Sequence, residues 1–181
     1  FVGALFVHIK GVDLLLEAIA EVQADETGRR LRFVFVGPIP RADDRRLLKQ
    51  LVSRVVDPTR ISFVGPRHGM EKISALKSFD VVVLPSRTEG MPRVILEAMA
   101  CGKPCLVSQP TGMAGVVEQH QFGWVCRAES IELAAALRRI AKESRESLVL
   151  RGQRARRCVA EHFTWDRVTP AYVEMIQRVL A

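Results

Sequence analysis

Glu89 and Glu97 stand with seven residues between them, in the string P-S-R-T-E-G-M-P-R-V-I-L-E that spans residues 85–97. Gly90 and Pro92 open a helix here, because proline is tolerated in a first turn, where its missing N–H is not needed. One carboxylate then lies just before the helix and the other about two turns into it. The first amides of a helix have no intrahelical acceptor and suit an anion such as a phosphate. A carboxylate beside an anion site needs a reason. Polyol hydroxyls supply one, since carboxylates accept their hydrogen bonds without competing for the phosphate. The plainer reading of the same pair is a helix-end carboxylate held by the dipole and a solvated surface glutamate.

The elements that must hold these residues are legible on either side. Residues 81–84 (V-V-V-L) form an apolar, β-branched run of the kind found in a parallel sheet covered on both faces. Pro85 and Ser86 end it. Ile95, Ala98 and Met99 are spaced to face that sheet. Gly102 closes the helix, and residues 104–107 start the next strand. Before this unit come a helix from Val12 with Leu15, Ala18, Ile19 and Val22 on one face, a strand over 31–37, a charged helix over 41–56, a strand over 61–64 and a short helix over 70–77. After it come a glycine-rich loop over 111–115, a strand over 124–126, and helices over 131–141, 144–162 and 165–180. Alternating strands and helices predict a doubly wound parallel sheet, a Rossmann-like α/β domain spanning 1–181. Ligands bind beyond the C-terminal strand ends of such sheets. The loops at those ends are 6–11, 37–41, 65–69, 85–91 and 109–115, which marks one rim as the site.

Composition narrows the partners. The chain has 181 residues, 48% hydrophobic and 26% charged, which fits one domain with a sizeable core. No apolar run approaches the length of a membrane span. The net charge of +7 favours anionic partners. The four cysteines, Cys101, Cys105, Cys126 and Cys158, show no metal spacing and read as reduced core residues of a cytosolic protein. The histidines are too scattered for a metal site, and only His68 falls in a rim loop. The basic run Arg151, Arg154, Arg156 and Arg157, with Arg138 and Arg139 nearby, reads first as a solvated helix face and second as a contact with an acidic membrane surface. It lacks the aromatic platforms that nucleic acid would require. The abrupt apolar start at Phe1 reads as an excised piece of a longer chain.

The setting of the two glutamates resembles the E-x7-E signature of the retaining nucleotide-sugar glycosyltransferases of group 1. The strings F-V-G-A-L, K-G-V-D-L-L-L-E-A, F-V-F-V-G-P, I-S-F-V-G and F-T-W-D-R-V are similar to that family in order and position. The resemblance implies one half of a GT-B fold, the C-terminal half that holds the donor, with the acceptor bound mainly by an N-terminal domain not in this chain. The helix over about 163–181 would pack on that domain. By the same resemblance, Glu97 accepts from the ribose hydroxyls and Glu89 lies by the donor sugar near the reacting centre. Backbone amides of Gly90, Met91 and Arg93 meet the sugar or diphosphate. Lys10 offsets charge on the leaving diphosphate without a metal or other cofactor. Gly65 and Arg67 lie where the base is contacted, and Gly37 and Pro38 line the same cleft. The donor would be a UDP-, GDP- or ADP-sugar, and the enzyme cytoplasmic, with a peripheral position at the inner face of the membrane as the further expectation.

Three positions depart from the family pattern. Ala4 stands where an arginine is usual, the loop at 111–115 lacks its acidic residue, and Pro92 removes an amide near the sugar. Arg87 or Arg93 could supply the charge missing at Ala4. The departures keep two rivals open: a nucleotide-sugar-binding or scaffold domain without turnover, favoured by Ala4 and Gly115, and a nucleotide-sugar epimerase, which the F-T-W-D string and the E-x7-E setting count against.

Overall fold

Apolar runs bounded by glycine and proline become strands, and the amphipathic runs between them become helices. The structure, a computed structural model, describes residues 1–26 and 28–180. In chain order the elements are α1 (Val12–Val22), β1 (Phe33–Val36), α2 (Ala42–Val52), β2 (Ile61–Gly65), α3 (Gly69–Ser78), β3 (Val82–Leu84), α4 (Arg93–Ala100), β4 (Cys105–Ser108), α5 (Ala114–His120), β5 (Gly123–Cys126), α6 (Ser130–Ala141), α7 (Arg145–His162) and α8 (Trp165–Leu180). Short 3-10 turns precede β1 and β2.

All strand pairings are parallel. β1 pairs with β2, and β4 lies between β3 and β5. The opening segment runs beside β1: Val2 bridges Val36, the Val36 N–H donates to the Phe1 carbonyl at 2.9 Å, and Gly3 N–H donates to the Val36 carbonyl at 2.8 Å. The two ladders share one core, in which Leu5, Leu16, Ile19, Phe35, Leu76, Ile95, Met99 and Leu106 are all fully buried. Helices fall into two groups by what they touch. α1 packs on α2 and α6, while α4 packs on α3 and α7 and α5 packs on α7. Two helical layers around parallel strands are the α/β, Rossmann-like arrangement that the sequence predicts.

The close approaches in this packing depend on missing side chains. A Cβ on Gly152 of α7 would meet the Gly102 carbonyl oxygen at 2.0 Å, so α7 can lie on the end of α4 only with glycine there. Gly152, Ala155 and Cys158 are the buried line of α7. Burial pushes the Cys126 thiol up to about 11 and the Cys105 thiol higher still, so both stay protonated at neutral pH. All four cysteines are free thiols. α8 touches α7 and buries none of its residues. Trp165, Tyr172, Val179 and Leu180 are exposed along it.

Several boundaries differ from the sequence reading. α4 begins at Arg93, with Pro92 as its extended N-cap rather than in its first turn. Glu97 therefore sits one turn into the helix, closer to its N-terminus than two turns. α2 stops at Val52, since the chain soon turns into Asp57 and Pro58, where the Asp57 carboxylate caps the next turn by accepting from Thr59 N–H. The loop read over 111–115 is shorter. Ala114 and Gly115 begin α5, which forms because Met113 and Val117 lie one turn apart and both bury.

Candidate functional site

The C-terminal ends of the strands carry two clusters, one built on Glu89 just before α4 and one on Glu97 within it. The first is built on Lys10 and Glu89. Gly11 has φ of 64°, and a Cβ there would meet the Pro85 carbonyl oxygen at 2.0 Å. Only glycine lets the 6–11 loop lie on the end of β3. That approach brings Lys10 Nζ onto Glu89 Oε2 as a hydrogen-bonded ion pair, both side chains about three-quarters shielded from water.

The backbone of Glu89 is held from β4. Its N–H donates to the Pro110 carbonyl at 3.3 Å, and its carbonyl accepts from Gly112 N–H at 2.9 Å. Gly112 lies so close to the Gly90 carbonyl oxygen that a Cβ would stand 2.1 Å from it. Beneath these loops Ser108 Oγ donates to the Ser86 carbonyl at 2.5 Å and Thr111 Oγ1 donates to the Ser108 carbonyl at 2.8 Å, all three residues being buried. A buried layer of hydroxyls thus fixes the loops that present Glu89 and Gly90.

Arg87 fastens the same two loops together. Its guanidinium grips Asp13 bidentately at 2.8 and 2.9 Å and donates to the His8 carbonyl at 2.5 Å. Arg87 would therefore have to leave a bidentate pair with Asp13 to supply the charge missing at Ala4. Arg93 is exposed at the first position of α4.

The second cluster is a cleft of about 450 Å³ lined by Ala4, Gly37, Pro38, Arg67, His68, Lys72 and Glu97, among others. Gly37 has φ of 149°, its N–H donates to the Gly65 carbonyl at 2.9 Å, and a Cβ on it would meet the Gly3 carbonyl oxygen at 1.8 Å. The close approach shapes one wall. Arg67 stands at the mouth, 3.8 Å from Glu71. Lys72 Nζ lies 2.5 Å from Glu97 Oε2, as an ion pair without the alignment of a directed hydrogen bond.

One rim thus carries Lys10, Glu89, Gly90, Met91 and Arg93 at the start of α4, and Gly37, Pro38, Gly65, Arg67 and Glu97 around the adjoining cleft. Lys72 escapes the sequence reading. Its only signal is that α3 rises directly from the 65–69 loop. A larger cavity of about 530 Å³ lies at the other end of the strands, lined by Phe1, Phe33, Val34, Phe79, Val81 and Leu137 among others. It sits away from both clusters, at the strand ends where doubly wound sheets do not bind ligands. Among the described residues no three His, Cys, Asp or Glu side chains gather as a metal site would need.

The basic run is partly spent inside the fold. Arg138 pairs with Glu21 and Asp25 at 2.9 and 2.8 Å. Arg151 pairs with Glu143 at 3.2 Å and stacks 4.6 Å from the Trp124 ring centroid. Arg154 donates to the Gln121 carbonyl at 3.3 Å, while Arg156 and Arg157 are exposed. Among the described residues no helix is long and apolar enough to cross a membrane.

Comparison with known proteins gives a consistent answer. Residues 1–143 match the family model described as glycosyl transferases group 1. A D-inositol 3-phosphate glycosyltransferase of Saccharomonospora viridis is 30% identical over 179 residues, covering 96% of this chain and 41% of that protein. Among solved structures, Anabaena HepE in complex with UDP superposes with a TM-score of 0.81 at 24% identity, over 98% of this chain and 49% of that one. Sucrose-phosphate synthase from Thermosynechococcus elongatus superposes with a TM-score of 0.76 at 26% identity, over 95% and 43%. The chain spans about 40% of the length of the curated relatives it matches.

Proposed function

The chain belongs to the glycosyl transferases of group 1, and on that footing we propose that it forms the donor-binding half of a retaining enzyme. The reaction moves a hexosyl group from a nucleoside diphosphate sugar to an acceptor hydroxyl. The bond from the sugar to the diphosphate breaks, and one from the sugar to the acceptor oxygen forms with the anomeric configuration kept. The observation that carries this reading is that the Lys10–Glu89 ion pair and the cleft lined by Glu97 lie on the same rim, with the two glutamates joined by the chain that opens α4.

In this reading the cleft takes the nucleoside, with Glu97 accepting from the ribose hydroxyls and Gly65 to His68 beside the base. Gly37 and Pro38 form the facing wall. The diphosphate lies toward the α4 N-terminus, where Gly90, Met91 and Arg93 offer backbone amides. Lys10 meets the charge that builds on the leaving diphosphate, a role that needs no metal. Glu89 then turns to the donor sugar. HepE bound to UDP supports the nucleotide class, and the sugar, acceptor and linkage follow from loops and from a second domain. That domain would supply the acceptor side and cover the exposed apolar face of α8. We place the enzyme in the cytoplasm, in keeping with four free thiols. A peripheral contact with acidic membrane, serving a polysaccharide or glycolipid acceptor, would rest on Arg156 and Arg157, since Arg138, Arg151 and Arg154 are engaged within the fold.

A binding domain without turnover is the second reading. It is favoured by Ala4, which lines the cleft wall and brings no cation.

Saturation-transfer NMR with UDP, GDP and ADP, each with and without common sugars, tests the proposal. Selective binding of one nucleotide is expected. It should weaken in Glu97→Ala by one or two hydrogen bonds to a charged group, about 1.5–3 kcal/mol each. Unchanged affinity in a folded Glu97→Ala protein removes Glu97 from the site.

A further inference from the structure

The two oxygens of Glu97 are in different situations. Oε2 is fully buried and makes no directed hydrogen bond, while the side chain as a whole is 41% exposed. The exposure therefore belongs to the rest of the side chain. Next to Oε2 stands the Lys72 ammonium at 2.5 Å, itself mostly shielded. The two residues come from different helices, α3 and α4, which pack against each other. Both line the same cleft.

A buried carboxylate oxygen with no partner is costly, and Lys72 is the cation that offsets it here. The consequence is orientation. With Oε2 drawn toward α3, the carboxylate cannot swing about its last torsion to present either oxygen. Arg67 is turned to Glu71 at the mouth of the cleft, so among the described residues Lys72 is the cation paired with Glu97.

We propose that Lys72 is the positioning residue for Glu97. It fastens Oε2 and leaves Oε1 as the acceptor for a vicinal diol. The inference rests on the reading of the cleft as a nucleoside site, in which that diol is the ribose. Lys72 then acts through Glu97 and not on the base or the phosphates.

The test uses whichever of UDP, GDP or ADP binds the parent chain, together with its 2′,3′-dideoxy form. Affinities are measured by calorimetry for the parent, Glu97→Ala, Lys72→Met, Lys72→Gln and Lys72→Arg, with thermal melts to establish that each is folded. The parent should prefer the ribose form. Lys72→Met and Lys72→Gln should weaken the ribose form about tenfold and leave the dideoxy form unchanged. Lys72→Arg should restore most of the preference. Equal weakening of both forms would mean that Lys72 touches the rest of the nucleotide or serves only the fold. Retained preference in both neutral variants would mean that it is idle. Either result overturns the proposal. Should the preference vanish in Glu97→Ala yet persist in Lys72→Met, the nucleoside site stands and only the role of Lys72 falls. If no nucleotide binds the parent, the nucleoside site itself falls.

Discussion

Lys10 and Glu89 are 79 residues apart in the chain and satisfy each other as an ion pair. In the proposed site both have other work. A diphosphate competes for the Lys10 ammonium, and each Lys10 hydrogen bond that turns to phosphate releases Glu89 toward the sugar. Glu89→Gln should therefore bind the nucleoside diphosphate at least as well as the parent, because Lys10 is no longer shared. The sugar-bearing donor should lose about 1.5–3 kcal/mol, one hydrogen bond to a charged group. Paired titrations with and without the sugar check this, and equal weakening of both ligands would contradict it. The two glutamates were legible in the sequence because their setting is contiguous: helix start, proline, apolar spacing. Lys72 was not, because its partner arrives by the crossing of α3 on α4, which no local pattern records. Arg87 looked free in the string and is bound to Asp13 for the same reason.

Loops at the C-terminal strand ends are positioned by backbone packing more than by side chains. Gly112 holds the Glu89 carbonyl and lies against Gly90. Gly112→Ala forces backbone apart and should cost about 1–3 kcal/mol of stability, together with donor binding. Gly115, three residues on, is the contrast. Nothing lies within 4 Å of its missing Cβ, and it sits in the first turn of α5. Gly115→Ala should be neutral or stabilise by up to about 1 kcal/mol. Urea melts of the two variants check both, and equal losses would contradict the packing described. These elements were unevenly legible. β3, α4 and β4 follow from a β-branched run, a proline and an i, i+3, i+4 spacing. α5 was hidden because Gly112 and Gly115 read together as loop, while the burial of Met113 and Val117 that folds it is a tertiary effect. α8 was legible as a helix, but its exposed face concerns what covers it and not its own sequence.

At the scale of the whole molecule, the parallel order and two helical layers were readable from alternation alone. The gathering of distant loops on one rim follows from that topology.

A crystal of the chain soaked with the nucleotide it prefers tests most directly whether one rim serves as a donor site. The expected result has the ribose hydroxyls on the Glu97 carboxylate, the diphosphate at the α4 N-terminus and Lys10 turned from Glu89 toward a phosphate oxygen. A nucleotide seated elsewhere, such as in the cavity at the opposite strand ends, or one bound with Lys10 and Glu97 both idle, would contradict it.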